Sequence, residues 1–182
     1  MVDQNSNEYV LDFTQQIGLL VVIASGFDSS LSDLLSECFY LSATQQNVLL
    51  RPLSTRAKLD ILQRLARHVH GNKDPKTKKI VAWSEAVKSK FNDRNTLVHG
   101  VPGFWDGEIR MRVYSAGNAF SGDPEAWPKE KVTDLHLAIN DAAKEIESEI
   151  RPYFETWIQA AREYHVSHFD GPRSPAQRAG KE

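Results

Sequence analysis

A chain of 182 residues with 41% hydrophobic content can bury one substantial core, and nothing in that length demands a second domain. A net charge of −2 and a pI near 6.3 exclude a protein that coats polyanions indiscriminately. The single Cys38 rules out an internal disulfide framework, and its place in an apolar helical pattern reads as a buried free thiol in a cytoplasmic protein.

The polar start Asp3-Gln4-Asn5-Ser6-Asn7 is no signal peptide, and residues 1–7 are expected to be a disordered leader to one helical domain over 8–168. Ile17 to Ala24 is an unbroken apolar run, but it falls short of the roughly 20 residues needed to span a bilayer, so no membrane association is expected. Phe13, Ile17, Leu20, Ala24, Phe27, Leu31, Leu34, Cys38 and Leu41 alternate spacings of four and three. That heptad phase runs through Gly26 and Asp28-Ser29-Ser30, which favours one long or kinked helix over a hairpin and marks a bundle core or dimer seam.

Ser54 is placed to cap a second helix, with Leu59, Leu62, Ala66 and Val69 on one face and an end near Gly71. The third runs from about Lys76 to His99, with Ile80, Ser84, Val87, Phe91 and Val98 as its inward stripe. Glu108 to Tyr114 alternates polar and apolar residues after Asp106-Gly107, which predicts a short β-hairpin with Val101 to Trp105 as the partner strand. Val132, Leu135, Ile139, Ala142, Ile146, Ile150, Tyr153 and Trp157 mark a long last helix that Pro152 should kink or split. Residues 169–182, with Gly-Pro-Arg-Ser-Pro, lack apolar periodicity and are expected to be disordered. The architecture expected is all-α, an antiparallel four-helix bundle with a β-hairpin inserted before the last helix.

The chemistry concentrates at the end of the third helix. Gly100 and Pro102 should stop it, Gly100 by taking the left-handed cap conformation, which leaves His99 in the last turn. The negative end of the helix dipole favours imidazolium there. Asn95 and His99 are four apart on one face, whereas Arg94 and His99 diverge by roughly 140°. Arg94 and His99 meet only through the reach of the arginine, an unwound last turn, or a second copy of the chain. Between Lys73 and Lys90 six lysines stand against Asp74 and Glu85, a net +4 approach to the motif that suits a phosphate backbone or a solvated helix face. Between Glu130 and Glu149 the balance reverses, with six acids against two lysines.

Arg94-Asn95-Thr96-Leu97-Val98-His99, followed by Gly100, resembles the Arg-polar-x-x-x-His signature of HEPN domains, helical bundles found among prokaryotic toxins, defence proteins and RNA-processing enzymes. The resemblance covers about residues 8 to 165. It implies a metal-independent endoribonuclease with no cofactor, acting in a homodimeric cleft on RNA, with Arg94 and His99 catalytic and Asn95 and Asp93 supporting them. A toxin or phage-defence role, with a possible antitoxin protein as partner, goes with that family. Lys88, Lys90 and Trp105 are the candidate RNA contacts, and Phe104, Tyr114 and Trp127 are further aromatic residues able to stack bases or pack the hairpin.

Other chemistry is poorly supported. His68 and His70 are two apart and point nearly opposite ways on a helix; His165 and His168 have usable spacing but no completing cluster for zinc. A Gly-rich phosphate loop and a Gly-x-Ser-x-Gly elbow are both absent from the sequence. The competing reading is a noncatalytic, dimeric HEPN-like module, in which the Arg-Asn…His cluster is a buried polar network or a nucleotide-binding groove.

Overall fold

The computed structural model describes residues 4–105, 108–112 and 125–168. Over these residues the chain is mostly helical, with six α-helices and a small three-stranded sheet. The expected disordered tail and the Asp106-Gly107 turn lie outside the described residues.

Helix α1 (Gln4–Cys38) is a single 35-residue helix, and it already includes Gln4 to Asn7 of the expected leader. Phe13, Leu20, Ala24, Phe27, Leu31, Leu34 and Cys38 are buried along one stripe, as the heptad phase requires. The polar cluster at Asp28 does not break the helix because its groups have other partners. Ser32 donates its hydroxyl to the Asp28 carbonyl at 2.8 Å, while the Asp28 carboxylate binds Lys58 and, at 2.9 Å, the Thr55 hydroxyl. Tyr40, at φ 51°, turns the chain out of the helix in the left-handed region.

Helix α2 (Ala43–Leu49) was not expected. None of its residues is buried, so it carries no apolar stripe, and what holds its start is a reciprocal capping box between Ser42 and Gln45. Helix α3 (Thr55–His70) begins at the Ser54 cap, whose hydroxyl accepts from the Ala57 N–H at 3.2 Å, and stops at Gly71, φ 86°. Helix α4 (Pro75–His99) starts at Asp74 with proline in its first turn, where no donor is lost.

Pairwise contacts give the helix directions. Lys88 with Asp60, Gln63 with Glu85, and the Thr77 hydroxyl with the Ala66 carbonyl make α3 and α4 antiparallel. Helix α5 (Lys129–Glu145) runs alongside α1 in the same direction: Lys129 meets Asp12, His136 meets the Gln16 carbonyl, and beyond α5 Arg151 meets Glu37. The expectation of a uniformly antiparallel arrangement therefore does not hold for α1 and α5. Helix α4 runs against α5, with Lys79 on Glu149 and Trp83 Nε1 donating to Glu145 at 2.7 Å.

Pro152 does split the last helix. After α5 the chain passes through a π-helical turn (Ile146–Ile150) and a 3₁₀ turn (Arg151–Tyr153) before α6 (Glu155–His168). The widened turn shifts the inward phase, so Phe154 and Ile158 are buried where Tyr153 and Trp157 were expected to be, and those two pack only partly against the core. Trp157 Nε1 donates to the Cys38 carbonyl at 2.9 Å, tying α6 to the end of α1.

The sheet has order β1-β2-β3, all antiparallel. β1 (Val101–Trp105) and β2 (Glu108–Arg112) pair Trp105 with Glu108 and Val101 with Arg112, which is the expected hairpin. β3 (Glu125–Ala126) is an addition, too short to signal itself by alternation. Ile109 and Met111 turn into the core, and Trp127 beneath them is 1% exposed.

One half of α1 is incompletely covered. By length and composition Val10–Cys38 is apolar enough to cross a membrane, which counting only the unbroken run missed, and 22% of its most apolar window is buried. Val10, Leu11, Leu19 and Val22 are exposed, whereas the opposite face of the same segment packs on α5.

Candidate functional site

The motif occupies the last two turns of α4. Leu97, rather than Val98, is the buried residue there, at 1% exposure, and Phe91, six residues earlier, packs on Phe27 with ring centroids 5.1 Å apart and planes tilted by 50°. These two anchors fix the rotation of the helix end. Asn95 and His99 then lie exposed on one face, and Arg94 lies half-buried beside the Leu97 ridge.

Arg94 reaches toward Asn95. Its Nη1 donates to Asn95 Oδ1 at 3.0 Å, so the guanidinium bends toward the face that carries His99. Arg94 Nε is withdrawn from solvent and has no hydrogen-bond partner among the described residues. A buried donor of this kind costs stability unless something satisfies it, which makes an oxyanion ligand a fitting complement. Arg94 does not bond His99 directly. Asp93, the other expected supporting residue, is half-buried alongside.

Gly100 closes the helix by close approach rather than by handedness. Its φ of −74° and ψ of 159° are extended, not left-handed. Its N–H donates to the Thr96 carbonyl at 2.8 Å, and a Cβ there would stand 2.4 Å from that oxygen and 2.9 Å from Met111 Cε. Glycine thus lets β2 press directly against the motif. The two strand residues beside it, Arg110 and Arg112, are half-buried and were not singled out in sequence. Their alternation with Ile109 and Met111 was the available signal.

One expected RNA contact is placed elsewhere. Lys88 is buried between Asp60 and Glu85, 2.6 Å from each, and is committed to joining α3 and α4. Burial disfavours its ammonium form, but the hydrogen bonds to Asp60 and Glu85 outweigh that and raise its pKa. Trp127 is core, with Lys131 over its ring at 3.9 Å, and is not a stacking platform. Lys90 is exposed, and the side chains of Phe104 and Trp105, like all of Tyr114, lie outside the described residues. The basic stretch is also partly spent within the fold, since Lys79 pairs with Glu149 at 2.8 Å and Lys76 and Lys79 lie over Tyr153.

His68 meets Trp157 edge-on and His70 packs on Phe154, which are structural contacts. Among the described residues no group of three or more His, Cys, Asp or Glu side chains is arranged to hold a metal ion. Cavities of about 650 and 450 Å³ open between α6 and the end of α1, near Glu37, Arg162 and Tyr40. Since the start of α4 packs at that end, its 25 residues put His99 roughly 35 Å away. Comparison with protein families, characterised proteins and solved structures finds no match to this chain.

Proposed function

We propose that the protein is a HEPN-type endoribonuclease, a helical bundle whose Arg94 and His99 cleave RNA without a metal ion. The observation that carries this reading is the Arg94 to Asn95 hydrogen bond, which turns a half-buried arginine with an unsatisfied Nε toward the face of His99. In the reaction the ribose 2′-oxygen attacks the adjacent phosphorus and the bond to the 5′-oxygen breaks, leaving a 2′,3′-cyclic phosphate and a 5′-hydroxyl. Arg94 neutralises the charge gathering on the phosphoryl oxygens. One proton must leave the 2′-hydroxyl and one must reach the 5′-oxygen, so a base and an acid are both needed. One chain offers one imidazole in this motif, and a second copy supplies the other.

The uncovered face of α1 supports the second copy. Leu11, Leu19 and Val22 are exposed there, and nothing lies within 4 Å of a Cβ built on Gly18 or Gly26, which leaves room for close helix approach. A toxin or phage-defence setting, with an antitoxin as partner, belongs to the same reading.

The test is cleavage of single-stranded RNA in EDTA by purified protein, with Arg94→Ala and His99→Ala as variants. Each should lower the rate by ~100-fold or more while leaving the fold intact. Cleavage unchanged in both variants removes the catalytic assignment. A folded wild type that leaves RNA uncut favours the noncatalytic module, with Arg94 and Asn95 as a polar network.

A further inference from the structure

Resting on the reading of Arg94 and His99 as an RNA site, we propose that the seam between α3 and α4 carries the RNA strand away from the scissile phosphate, with Arg56, Arg64 and Arg67 of α3 as its phosphate contacts.

Lys88, Asn92, Asn95 and His99 follow one another at spacings of four, three and four, so they form one stripe along α4. The stripe starts against α3, because Lys88 Nζ stands 2.6 Å from Asp60. The two helices are antiparallel, and α3 begins only at Thr55, just over a turn before Asp60. Its cover over this side of α4 therefore ends about a turn beyond Lys88, and Asn92, Asn95 and His99 are exposed. The face of the motif is the open continuation of the α3–α4 seam.

Arg56 lies one turn from Asp60 toward the motif, and Arg64 and Arg67 lie one and two turns from it the other way. At about 1.5 Å per residue, measured from the contact of Asp60 with Lys88, Arg56 is about 10 Å from His99 along the bundle, Arg64 about 22 Å and Arg67 about 27 Å. All three arginines are exposed, whereas Leu59, Leu62 and Ala66 turn to the core. The side chains of α3 and α4 that border the seam are all among the described residues.

This hairpin is the basic part of an otherwise acidic protein. Between Thr55 and Lys90 ten lysines and arginines stand against Asp60, Asp74 and Glu85, a net +7 in a chain whose total is −2. Lys58 and Lys79 are held by Asp28 and Glu149, and Lys88 is shared between Asp60 and Glu85. Among the described residues no carboxylate lies within ion-pair distance of Arg56, Arg64 or Arg67. Arg67 Nη2 donates to the Gln63 amide oxygen at 3.4 Å, which leaves its other donors for a phosphate oxygen. With Lys88, Asp60 and Glu85 counted, the seam sums to +2, and Arg94 adds one more cation at its end.

The surroundings of these cations select the occupant. No large apolar side chain of α3 or α4 is exposed, so the face offers charge without an anchor for an apolar partner or a lipid surface. Guanidinium forks spaced along an open face suit the phosphates of an extended single strand that leads to the motif.

The experiment uses the full chain in EDTA and reads binding apart from chemistry. Binding of a fluorescent 12-nucleotide RNA methylated on its 2′-oxygens, which cannot be cut, is followed by anisotropy across a salt series. Cleavage is followed on the unmethylated RNA and on a dinucleotide, whose single phosphate sits at the motif. Arg56→Gln/Arg64→Gln/Arg67→Gln should weaken binding by about tenfold or more and reduce the magnitude of the salt slope by roughly 2, the loss of three phosphate contacts on a single strand. Its KM for the 12-nucleotide RNA should rise with kcat kept, and dinucleotide cleavage should be unchanged. Arg56→Lys/Arg64→Lys/Arg67→Lys keeps the charge and should retain most of the binding. Arg162→Gln removes an exposed cation from α6, at the far end, and should leave binding as it is; a loss there equal to that of a single seam variant would overturn the proposal. Wild-type affinity and slope in the triple Gln variant would also overturn it, and leave the ribonuclease reading standing if cleavage still depends on Arg94. Binding that depends on the three arginines, with neither RNA cut, sustains the seam as an RNA surface and removes the ribonuclease reading.

Discussion

Replacing Gly100 by alanine tests how the sheet is docked onto the motif. The backbone at this position is extended, so conformation alone would accept any residue. Restricting the unfolded chain would then stabilise the protein by about 0.4–1 kcal/mol. The surroundings predict the opposite sign. A Cβ would stand 2.4 Å from the Thr96 carbonyl oxygen, 2.9 Å from Met111 Cε and 3.2 Å from the Arg112 carbonyl oxygen. Met111 is enclosed at 1% exposure, and the Thr96 oxygen cannot retreat without opening its 2.8 Å bond from the Gly100 N–H. Overpacking costs about 1–3 kcal/mol and a strained hydrogen bond about 1 more, so the net loss is about 1–3 kcal/mol after the entropy gain is deducted. For a chain of this size that lowers the melting temperature by about 2–12 °C. Thermal unfolding followed by circular dichroism reads it directly. Gly18→Ala and Gly26→Ala, in helix with open space around them, are the comparators and should each gain about 0.5–1 kcal/mol at dilution. If Gly100→Ala melts at or above the wild type, the close-approach account is wrong.

Asp28→Asn strands the fully buried Lys58 ammonium and should cost about 3–5 kcal/mol, whereas the double change Asp28→Leu/Lys58→Met should recover most of that; equal losses in urea titrations would refute the pairing argument. Burial pushes the Cys38 thiol up to about 12, so it should resist alkylation at neutral pH in the native protein and react at the pace of unfolding. Because the folded state holds that proton more tightly, the contribution to stability is complete below the ordinary thiol pKa and is lost as pH rises toward 12; rapid labelling of native protein at pH 7.5 would contradict the burial. Val22 is 67% exposed, so Val22→Asp should leave monomer stability within about 0.5 kcal/mol while shifting sedimentation from dimer to monomer, and an unshifted dimer would move the interface off α1.

Long-period apolar patterns were the legible part of this fold. The stripe from Phe13 to Cys38 located α1 across a glycine and a polar cluster, because burial of one face outweighs local turn preference. Ser54 and Gly71 bounded α3 because caps are local chemistry. Helix α2 and strand β3 were not legible, since neither buries a repeating face: one rests on a capping box, the other on two residues of pairing. The parallel course of α1 and α5 could not be read either, because periodicity marks the inward face of a helix but is silent on its direction. Pro152 announced a break, but the π-helical turn before it, which shifts the buried phase to Phe154 and Ile158, depends on packing that no residue type encodes.

The candidate site divides along the same line. Residue types at the end of α4 pointed to Arg94, Asn95 and His99, and the structure places them on adjoining faces. Their relation was not visible, because an angle on a helical wheel ignores side-chain reach, and a 3.0 Å bond to Asn95 redirects the guanidinium. Charge counting failed in the complementary way. Six lysines in one stretch suggested a basic approach, yet a lysine four to six residues from the motif can be withdrawn by one acid on a neighbouring helix, as Asp60 withdraws Lys88. Arg110 and Arg112 follow the motif by more than ten residues, and nothing in that spacing signals that β2 lies against the helix end. Their proximity is set by the strand register and by Gly100, which admits β2 against the helix end. Which cations a fold brings to one place is set by its backbone, and sequence distance is a poor guide to it.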